Sequence, residues 1–175
     1  MSSLVAGIDL STKRLHAALV DFDTDQAVYR DAIIGGDLRY IRRAVVDLLA
    51  DVWTPAPDTY PAVRADVVSV AVEYPAGKFV SACVPVFGAV VASIPSRIHG
   101  YTNYRPSDWR RRLALLAHPE HHQHKTVPRS LLAKGACHEL VRRIWTGRMP
   151  DNEHHLDALG IALVWRAEQH AAAAA

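Results

Sequence analysis

The sequence has little cysteine, no long apolar segment and almost no net charge. Its 2 cysteines, Cys83 and Cys137, stand alone in apolar or helical surroundings, which excludes a disulfide framework and is typical of core residues in a reducing compartment. Residues 79–94 form the longest apolar candidate, but Pro85 and Gly88 interrupt it and it is shorter than a membrane span. The first residues lack the basic start and apolar centre of a secretion signal. We therefore expect a cytoplasmic protein without a membrane segment.

The composition is that of an ordinary globular protein. Of its 175 residues, 50% are hydrophobic and 22% are charged, which gives the chain enough apolar surface to bury a core. The chain contains no internal repeat, so we predict one domain over residues 1–170. The alanines of residues 171–175 are expected to form a frayed end or a helix extension without chemistry of their own. The basic, alanine-rich composition favours a bacterial or phage protein.

The net charge of +2 conceals an uneven distribution of charged residues. Residues 1–75 contain eleven Asp and Glu against seven Lys and Arg, a net −4, whereas residues 76–175 contain seven against thirteen, a net +6. A basic half beside an acidic half is typical of an enzyme that binds phosphates and holds metal ions against them. A solvated basic face without such a function is about equally common, so charge alone leaves both interpretations open.

Short strand-like segments alternate with helical patterns along the chain. Two apolar runs flank a turn around Lys13, and further strands are predicted at residues 26–34, at residues 67–72 and within residues 97–104. Residues 54–64 contain three prolines and are predicted to form a surface loop. Helical patterns occupy five segments: 37–52, 79–94, 107–117, 128–145 and 152–170. The second contains Pro85, which is expected to kink or interrupt the helix. This alternation indicates an α/β fold.

Acidic residues lie at the ends of three apolar elements: Asp9, Glu73 and Asp157. Asp9 follows the buried run of residues 4–8, where an unpaired carboxylate is costly. It therefore needs a metal ion, a cation or several hydrogen-bond donors. The N–H groups of Ser11 and Thr12, in the turn that follows, are an alternative set of donors.

Five segments follow one another along nearly the whole chain: Gly7-Ile8-Asp9, Val72-Glu73, Tyr104-Arg105-Pro106-Ser107-Asp108-Trp109-Arg110, Lys134, and His154-x-x-Asp157-Ala158-Leu159-Gly160-Ile161-Ala162. Together they resemble the RuvC family of Holliday junction resolvases, which are RNase H-like nucleases. In the last segment, His154 stands where the family usually has the first acid of that motif. The resemblance implies a central mixed five-stranded sheet flanked by helices. It also implies a metal-dependent endonuclease that resolves four-way DNA junctions as a homodimer, by paired symmetrical nicks that leave 5′-phosphate ends.

The resemblance implies catalytic roles for five residues: Asp9, Glu73, His154, Asp157 and Lys134. The first four suit Mg²⁺ or Mn²⁺, and two ions about 4 Å apart would support an in-line hydrolysis of phosphodiesters. His154 and Asp157 are three residues apart and share one helix face. His154 is a ligand, a general base or only a helix-start residue. Lys134 neutralises charge on the phosphate or is an ordinary surface lysine.

Seven basic residues are the candidates for contacts with branched DNA: Lys13, Lys78, Arg105, Arg110, Arg111, Lys125 and Arg129. The junction-wedging aromatic residue of the family has no clear counterpart, and Tyr74 and Phe79 are its candidates. The histidine-rich residues 118–124 follow no standard zinc-ligand spacing, so we interpret them as a mobile polar loop near DNA, with a zinc site as the alternative. Asp151 is a possible helix cap, and Glu153 is a first-turn charge expected to help only stability.

Two other functions share parts of this pattern. An RNase H-like nuclease that prefers flaps, replication forks or RNA–DNA hybrids would use the same catalytic residues. An actin-like ATPase fragment is a weaker alternative, because residues 7–12 also resemble the first phosphate loop of that superfamily. The chain is short for such a fragment, and it contains no second phosphate loop or adenosine motif.

Overall fold

The computed structural model describes residues 2–35, 37–50, 52–54, 63–98, 100–122 and 127–174. Its strands are β1 (Ser2–Leu10), β2 (Arg14–Asp21), β3 (Gln26–Ile33), β4 (Val52–Thr54), β5 (Val63–Glu73) and β6 (Gly100–Tyr104). Its helices are α1 (Leu38–Leu49), α2 (Val80–Ser93), α3 (Pro106–Ala117), α4 (Lys134–Ile144) and α5 (Glu153–Ala173). None of the described helices is long and apolar enough to cross a membrane.

The strands form one mixed sheet in the order β3-β2-β1-β5-β4, and β6 also pairs with β5. Strands β1, β2 and β3 are antiparallel neighbours, whereas β1, β5 and β6 run parallel. The first residues of β5 pair with β4 and its last residues pair with β6. The predicted α/β class with a mixed sheet between helices is confirmed. The sheet has one strand more than predicted, the three-residue β4, which includes Thr54. Thr54 was predicted to begin the loop of residues 54–64, and the last two residues of that loop belong to β5.

Each face of the sheet is covered by helices because its strands alternate apolar side chains between the two faces. One core contains Leu4, Ile8 and Leu19 of the sheet together with α1 and α2. The other core contains Val5 and Val20 together with α3, α4 and α5. Helix α5 is apolar over residues 158–164, all of them buried, because it crosses the centre of the second core.

Glycine at position 7 brings β1 and α5 into backbone contact. A Cβ atom on Gly7 would lie 1.9 Å from the carbonyl oxygen of Ala158 and 3.0 Å from the amide nitrogen of Ala162. Only glycine permits this approach. The contact sets the height of α5 above the end of β1, which carries Asp9.

Two predicted helices differ in detail. The helix expected over residues 128–145 is divided into a 3₁₀ turn, Arg129–Leu132, and α4, because Ala133 is extended (φ −64°, ψ 143°) and serves as the N-cap of α4. Pro85 lies inside α2 without ending it. In α3, the apolar residues 109, 113 and 116 recur at helical spacing, which predicts that all three face the core. Trp109 and Leu113 are buried, but Leu116 is exposed.

Candidate active site

Asp9 and Glu73 lie at the same edge of the sheet. Asp9 is the second-last residue of β1 and Glu73 is the last residue of β5, and Ile8 and Val72, the residues before them, are register partners. The carboxyl ends of parallel strands meet at one edge, so the two carboxylates are neighbours. The first turn of α5 lies over this edge, since its His154 contacts Asp9. Asn152 caps the helix by accepting a hydrogen bond from the His154 N–H at 2.8 Å.

Three predicted site residues converge above β1. The Nδ1 atom of His154 lies 2.7 Å from Oδ2 of Asp9. Asp9, His154 and Asp157 each offer a ligand atom, and these atoms all lie within 4.8 Å of one another. Asp9 and Asp157 are buried, whereas His154 is exposed. The structure therefore brings together two carboxylates and one imidazole from opposite ends of the sequence, in a form suited to a cation.

Glu73 lies beside this group and its charge is strongly disfavoured. Burial, followed by the negative charge of Asp9, raises the pKa of Glu73 to about 7. The charge of Asp157 adds to this effect, whereas the Trp109 indole N–H, which donates to Oε2 at 2.7 Å, opposes it. A half-buried carboxylate next to two buried ones is a site where a cation would relieve repulsion.

Asp157 is held by two residues of α4. The Lys134 Nζ lies 3.0 Å from its Oδ2, and the His138 Nε2 lies 2.9 Å from its Oδ1. Burial alone would lower the pKa of Lys134, but the hydrogen bond and charge of Asp157 outweigh it and raise that pKa. Lys134 therefore belongs to the site rather than to an unrelated surface.

The sequence interpretation missed two partners of the acidic residues. His138 follows Lys134 by four residues, so helical spacing places both on the face of α4 that meets Asp157. That spacing was the available signal for His138. Nothing in the sequence marks Trp109 as the donor to Glu73, since its place in α3 predicts only core packing.

Three local predictions near the site are corrected or refined. The Ser11 N–H donates to the Arg14 carbonyl rather than to Asp9, so one of the two predicted turn donors has a different partner. The cap of α5 is Asn152, and Asp151 is exposed outside the helix. Glu153 lies 3.8 Å from Lys134 Nζ, which connects this first-turn charge with a residue of the site.

The predicted DNA-binding residues are distributed around the same edge. Lys13, Lys78 and Arg105 are exposed and follow the ends of β1, β5 and β6, respectively. Three cations therefore follow the strand ends at the sheet edge that carries Asp9 and Glu73. Arg111 is exposed on α3 and Arg129 on the 3₁₀ turn Arg129–Leu132, whereas Lys125 lies outside the described residues.

Arg110 differs from the other basic residues because it is partly buried. Its guanidinium carbon lies 5.3 Å from the centroid of the Trp109 ring. Among the described residues, its Nε is a buried side-chain atom that has no hydrogen-bond partner. The positive charge of Arg110 acts on Glu73, whose pKa it lowers slightly against the larger effect of burial.

The two candidate wedge residues have different surroundings. Tyr74 is half-buried, and its ring packs edge-to-face on Phe87 with centroids 4.9 Å apart. Phe79 ends a 3₁₀ turn, Gly77–Phe79, and the structure does not describe its side chain. Both remain predictions.

Two further groups of side chains could hold a metal ion. One consists of His16, Asp31 and His155 and lies beside His154. The other consists of His118, Glu120 and His121, around a 3₁₀ turn at Pro119–His122. It contains part of the predicted histidine-rich loop, of which residues 123–126 lie outside the described part of the chain.

Comparison with known proteins gives a match at the level of structure. No protein-family model matches the chain, and no curated protein matches it. Its structure is similar to that of T. thermophilus RuvC, solved in complex with a Holliday junction substrate, with a TM-score of 0.62, 19% sequence identity and coverage of 97% of this chain and 96% of that chain. The fold is that of RuvC. The RuvC-like α/β architecture implied by the resemblance is thereby confirmed over nearly the whole chain.

Proposed function

We propose that this protein is a metal-dependent endonuclease that cleaves branched DNA and resolves four-way junctions. The observation that carries the proposal is the convergence of Asp9, His154 and Asp157, with ligand atoms within 4.8 Å, beside the half-buried Glu73. These residues lie on a RuvC fold, and the similar structure of T. thermophilus RuvC contains a Holliday junction substrate. The products would be paired symmetrical nicks with 5′-phosphate ends.

The residues of the site fit a hard divalent cation. Buried carboxylates that repel each other, as the raised pKa of Glu73 indicates, are stabilised by a bound cation. Asp9, Glu73, His154 and Asp157 would hold Mg²⁺ or Mn²⁺, and we propose two ions per site. Bound ions of this kind make water nucleophilic at neutral pH and stabilise the leaving oxygen of a phosphodiester.

The other residues of the site position the ligands and balance charge. His138 and Lys134 hold the two oxygens of Asp157 and so fix the orientation of its carboxylate. Lys134 also places an ammonium group at the edge of the site, where it would stabilise the added negative charge of the transition state. Trp109 holds the carboxylate of Glu73 in the same way through its indole N–H.

Cationic side chains around the site would bind the DNA backbone. Lys13, Lys78 and Arg105 follow the three strand ends that surround the acidic residues, so phosphates bound by them would lie next to the metal ligands. Arg110, Arg111, Lys125 and Arg129 would extend this surface. Such contacts make affinity strongly dependent on salt. Tyr74 or Phe79 would separate the base pairs at the branch point.

Symmetrical nicking requires two active sites. We therefore propose a homodimer, because a two-fold axis relates two equivalent sites to two strands of the same polarity in a four-way junction. Sedimentation of the full chain with and without a junction would measure its mass. A complex with one chain per junction would contradict the dimer without removing the nuclease. We further propose that the protein acts in the cytoplasm of a bacterium or of a phage-infected cell.

The deciding experiment compares cleavage of a labelled synthetic four-way junction with a linear duplex, a flap and an RNA–DNA hybrid. Mg²⁺, Mn²⁺ and a chelator are tested with the wild type, with Asp9→Asn and with Asp23→Asn, which makes the same charge change at an exposed acid of the β2–β3 turn. We expect paired nicks on the junction from the wild type and Asp23→Asn, and at least about a thousand-fold loss with Asp9→Asn or chelator.

Other outcomes distinguish the alternatives. Cleavage mainly of flaps, forks or hybrids, still dependent on Asp9, would retain the metal-dependent nuclease and reject the junction as its substrate. Cleavage that survives Asp9→Asn would place the active site elsewhere. No cleavage of any substrate, together with hydrolysis of ATP, would support the actin-like alternative instead.

A further inference from the structure

A second group of potential metal ligands lies next to the candidate active site. The register of the antiparallel strands places Asp9, His16 and Asp31 side by side across β1, β2 and β3. Directly opposed residues have side chains on the same face of a sheet, and here that face is covered by the first turns of α5. His154 and His155 of α5 lie above this row. His154 contacts Asp9 and His155 contacts Asp31, so the row contributes to two groups of potential ligands.

The side chains of the second group converge on one carboxylate. The Nδ1 atom of His16 lies 2.6 Å from Oδ1 of Asp31, and the Nε2 atom of His155 lies 2.9 Å from the same oxygen. The ligand atoms of the three residues all lie within 4.8 Å of one another. His155 Nε2 also lies 3.3 Å from the carbonyl oxygen of Arg30. Two imidazole nitrogens therefore face one point, from β2 and from α5.

We propose that His16, Asp31 and His155 form a Zn²⁺ site that is separate from the Mg²⁺ or Mn²⁺ site proposed above. Two imidazoles and one carboxylate are a typical ligand set for zinc with one position left open, and imidazole favours zinc over magnesium. Asp9, Glu73 and Asp157 instead supply the oxygen atoms that magnesium requires. The two groups thus differ in the chemistry of their donors.

Burial of the group supports a built site with access from one side. The side chains of His16 and His155 are only 5% and 11% exposed, whereas that of Asp31 is 44% exposed. The imidazoles are therefore held by surrounding atoms, and the carboxylate faces solvent. To place zinc about 2 Å from each ligand, the three atoms must separate by a few tenths of an ångström. Asp31 has the freedom to make this movement.

The second site would adjoin the first through two stacked histidine rings. The ring of His16 stacks on the ring of His154, with centroids 4.5 Å apart and an interplanar angle of 11°. His154 in turn contacts Asp9. A metal bound to His16 would fix the ring on which His154 rests, so occupancy of the zinc site would help to orient a ligand of the catalytic site.

Direct measurement of bound zinc tests this site without any DNA substrate. The full chain, without a histidine tag, is dialysed against Zn²⁺, its metal content is counted, and its affinity is measured by competition with a chelating dye. We expect one zinc ion that is retained in Asp9→Asn and in His118→Gln, which alter the other two groups. Asp31→Asn is expected to weaken binding at least about ten-fold, whereas the matched change Asp23→Asn leaves it unchanged.

Thermal unfolding of each metal-free variant identifies a substitution that fails to fold. His155→Gln is a second variant, for which we expect the same loss of zinc affinity. Co²⁺ in place of Zn²⁺ would show the absorption of a nitrogen- and oxygen-ligated ion, absent in Asp31→Asn. No bound zinc in the wild type, or equal affinity in Asp31→Asn, would overturn the proposal and leave Asp31 as a hydrogen-bond acceptor for two imidazoles. Loss of zinc in Asp9→Asn or His118→Gln would assign the ion to another group.

Discussion

The Nδ1 atom of His154 lies 2.7 Å from Oδ2 of Asp9, although 145 positions separate the two residues in the sequence. This contact connects the start of the last helix to the end of the first strand. The hydrogen bond to Asp9, more than any other interaction, raises the pKa of His154 above its ordinary value of 6.5, against the opposing effect of burial. Without a metal ion and at a pH below this raised pKa, the imidazolium and the carboxylate therefore form an ion pair.

The first prediction concerns the pH dependence of this ion pair. Because the pKa of His154 is higher in the folded than in the unfolded chain, the pair stabilises the metal-free fold fully below about pH 6.5, and its contribution is lost as pH rises through the raised pKa. His154→Asn should therefore lower the free energy of unfolding more at about pH 6 than at about pH 8.5. Urea unfolding in chelator measures both values. An equal effect at the two pH values would contradict the ion pair.

Metal binding should show the opposite dependence on pH. A protonated imidazole cannot bind a metal ion, so Mg²⁺ or Mn²⁺ binding and cleavage should weaken as pH falls through the pKa of His154. Because that pKa is raised, the loss should begin above about pH 6.5. His154→Asp supplies a carboxylate in place of the imidazole and is expected to shift the acid limb of the pH–rate profile. An unchanged profile would remove His154 from the ligand set.

The second prediction concerns Glu73 and Trp109. Burial is the main reason that the pKa of Glu73 rises to about 7, and the Trp109 N–H partly opposes it. Trp109→Phe keeps an aromatic ring in the core but removes this donor, so the pKa of Glu73 should rise further. Carboxyl NMR of the metal-free protein, labelled at glutamate, measures this pKa directly.

Trp145→Phe is the matched control for this measurement. Trp145 is buried in the same core, but its indole N–H donates to the carbonyl oxygen of Arg148, at 3.2 Å. Its replacement should therefore cost packing energy without shifting the titration of Glu73. The same titration shift in both variants would indicate a general loosening of the core rather than the loss of one hydrogen bond.

The sequence predicted the acidic group because its geometry follows from local rules. Asp9 and Glu73 end apolar runs that pair in parallel, so their meeting at one edge follows from the strand assignment. Asp157 and His154 share a helix face by spacing alone. The residues marked by the family resemblance are therefore those whose positions depend on secondary structure and strand order.

The second histidine group could not be predicted in this way. Asp31 opposes His16 only in the observed register of β2 and β3, and a shift by one residue would place Asp31 on the other face. The apolar pattern of β3 is weak, since its residues are mostly half-buried, so it does not fix the register. The break in the helical segment at Ala133 was also not predicted, because no glycine or proline lies between Pro128 and α4 to indicate it.

The third prediction concerns the contact between β1 and α5 at Gly7. A methyl group at this position would meet the backbone of Ala158, which cannot move without shifting α5. Gly7→Ala should lower the free energy of unfolding by about 3 kcal/mol, and it should also weaken metal binding by separating His154 from Asp9. Gly88→Ala is the control, because among the described residues, apart from the backbone of its own helix, no atom lies within 4 Å of an added Cβ. This change should raise the free energy of unfolding by about 0.5–1 kcal/mol. Equal effects of the two changes would contradict the close approach.

The last prediction concerns the reactivity of the two cysteines. Cys137 is fully buried in the core shared by α3, α4 and α5, its Sγ donates to the carbonyl oxygen of Leu131 at 3.4 Å, and burial is the main cause of its raised pKa. A thiol reacts as the thiolate, so both inaccessibility and the raised pKa should protect Cys137. Cys83 is only partly buried. At about pH 8, a thiol reagent should therefore modify Cys83 first and reach Cys137 only after unfolding.

Mass spectrometry of the digested protein locates the label, and Cys83→Ser should leave the folded chain almost unreactive. Rapid labelling of Cys137 in that variant would show that the core next to Asp157 opens readily in the folded state.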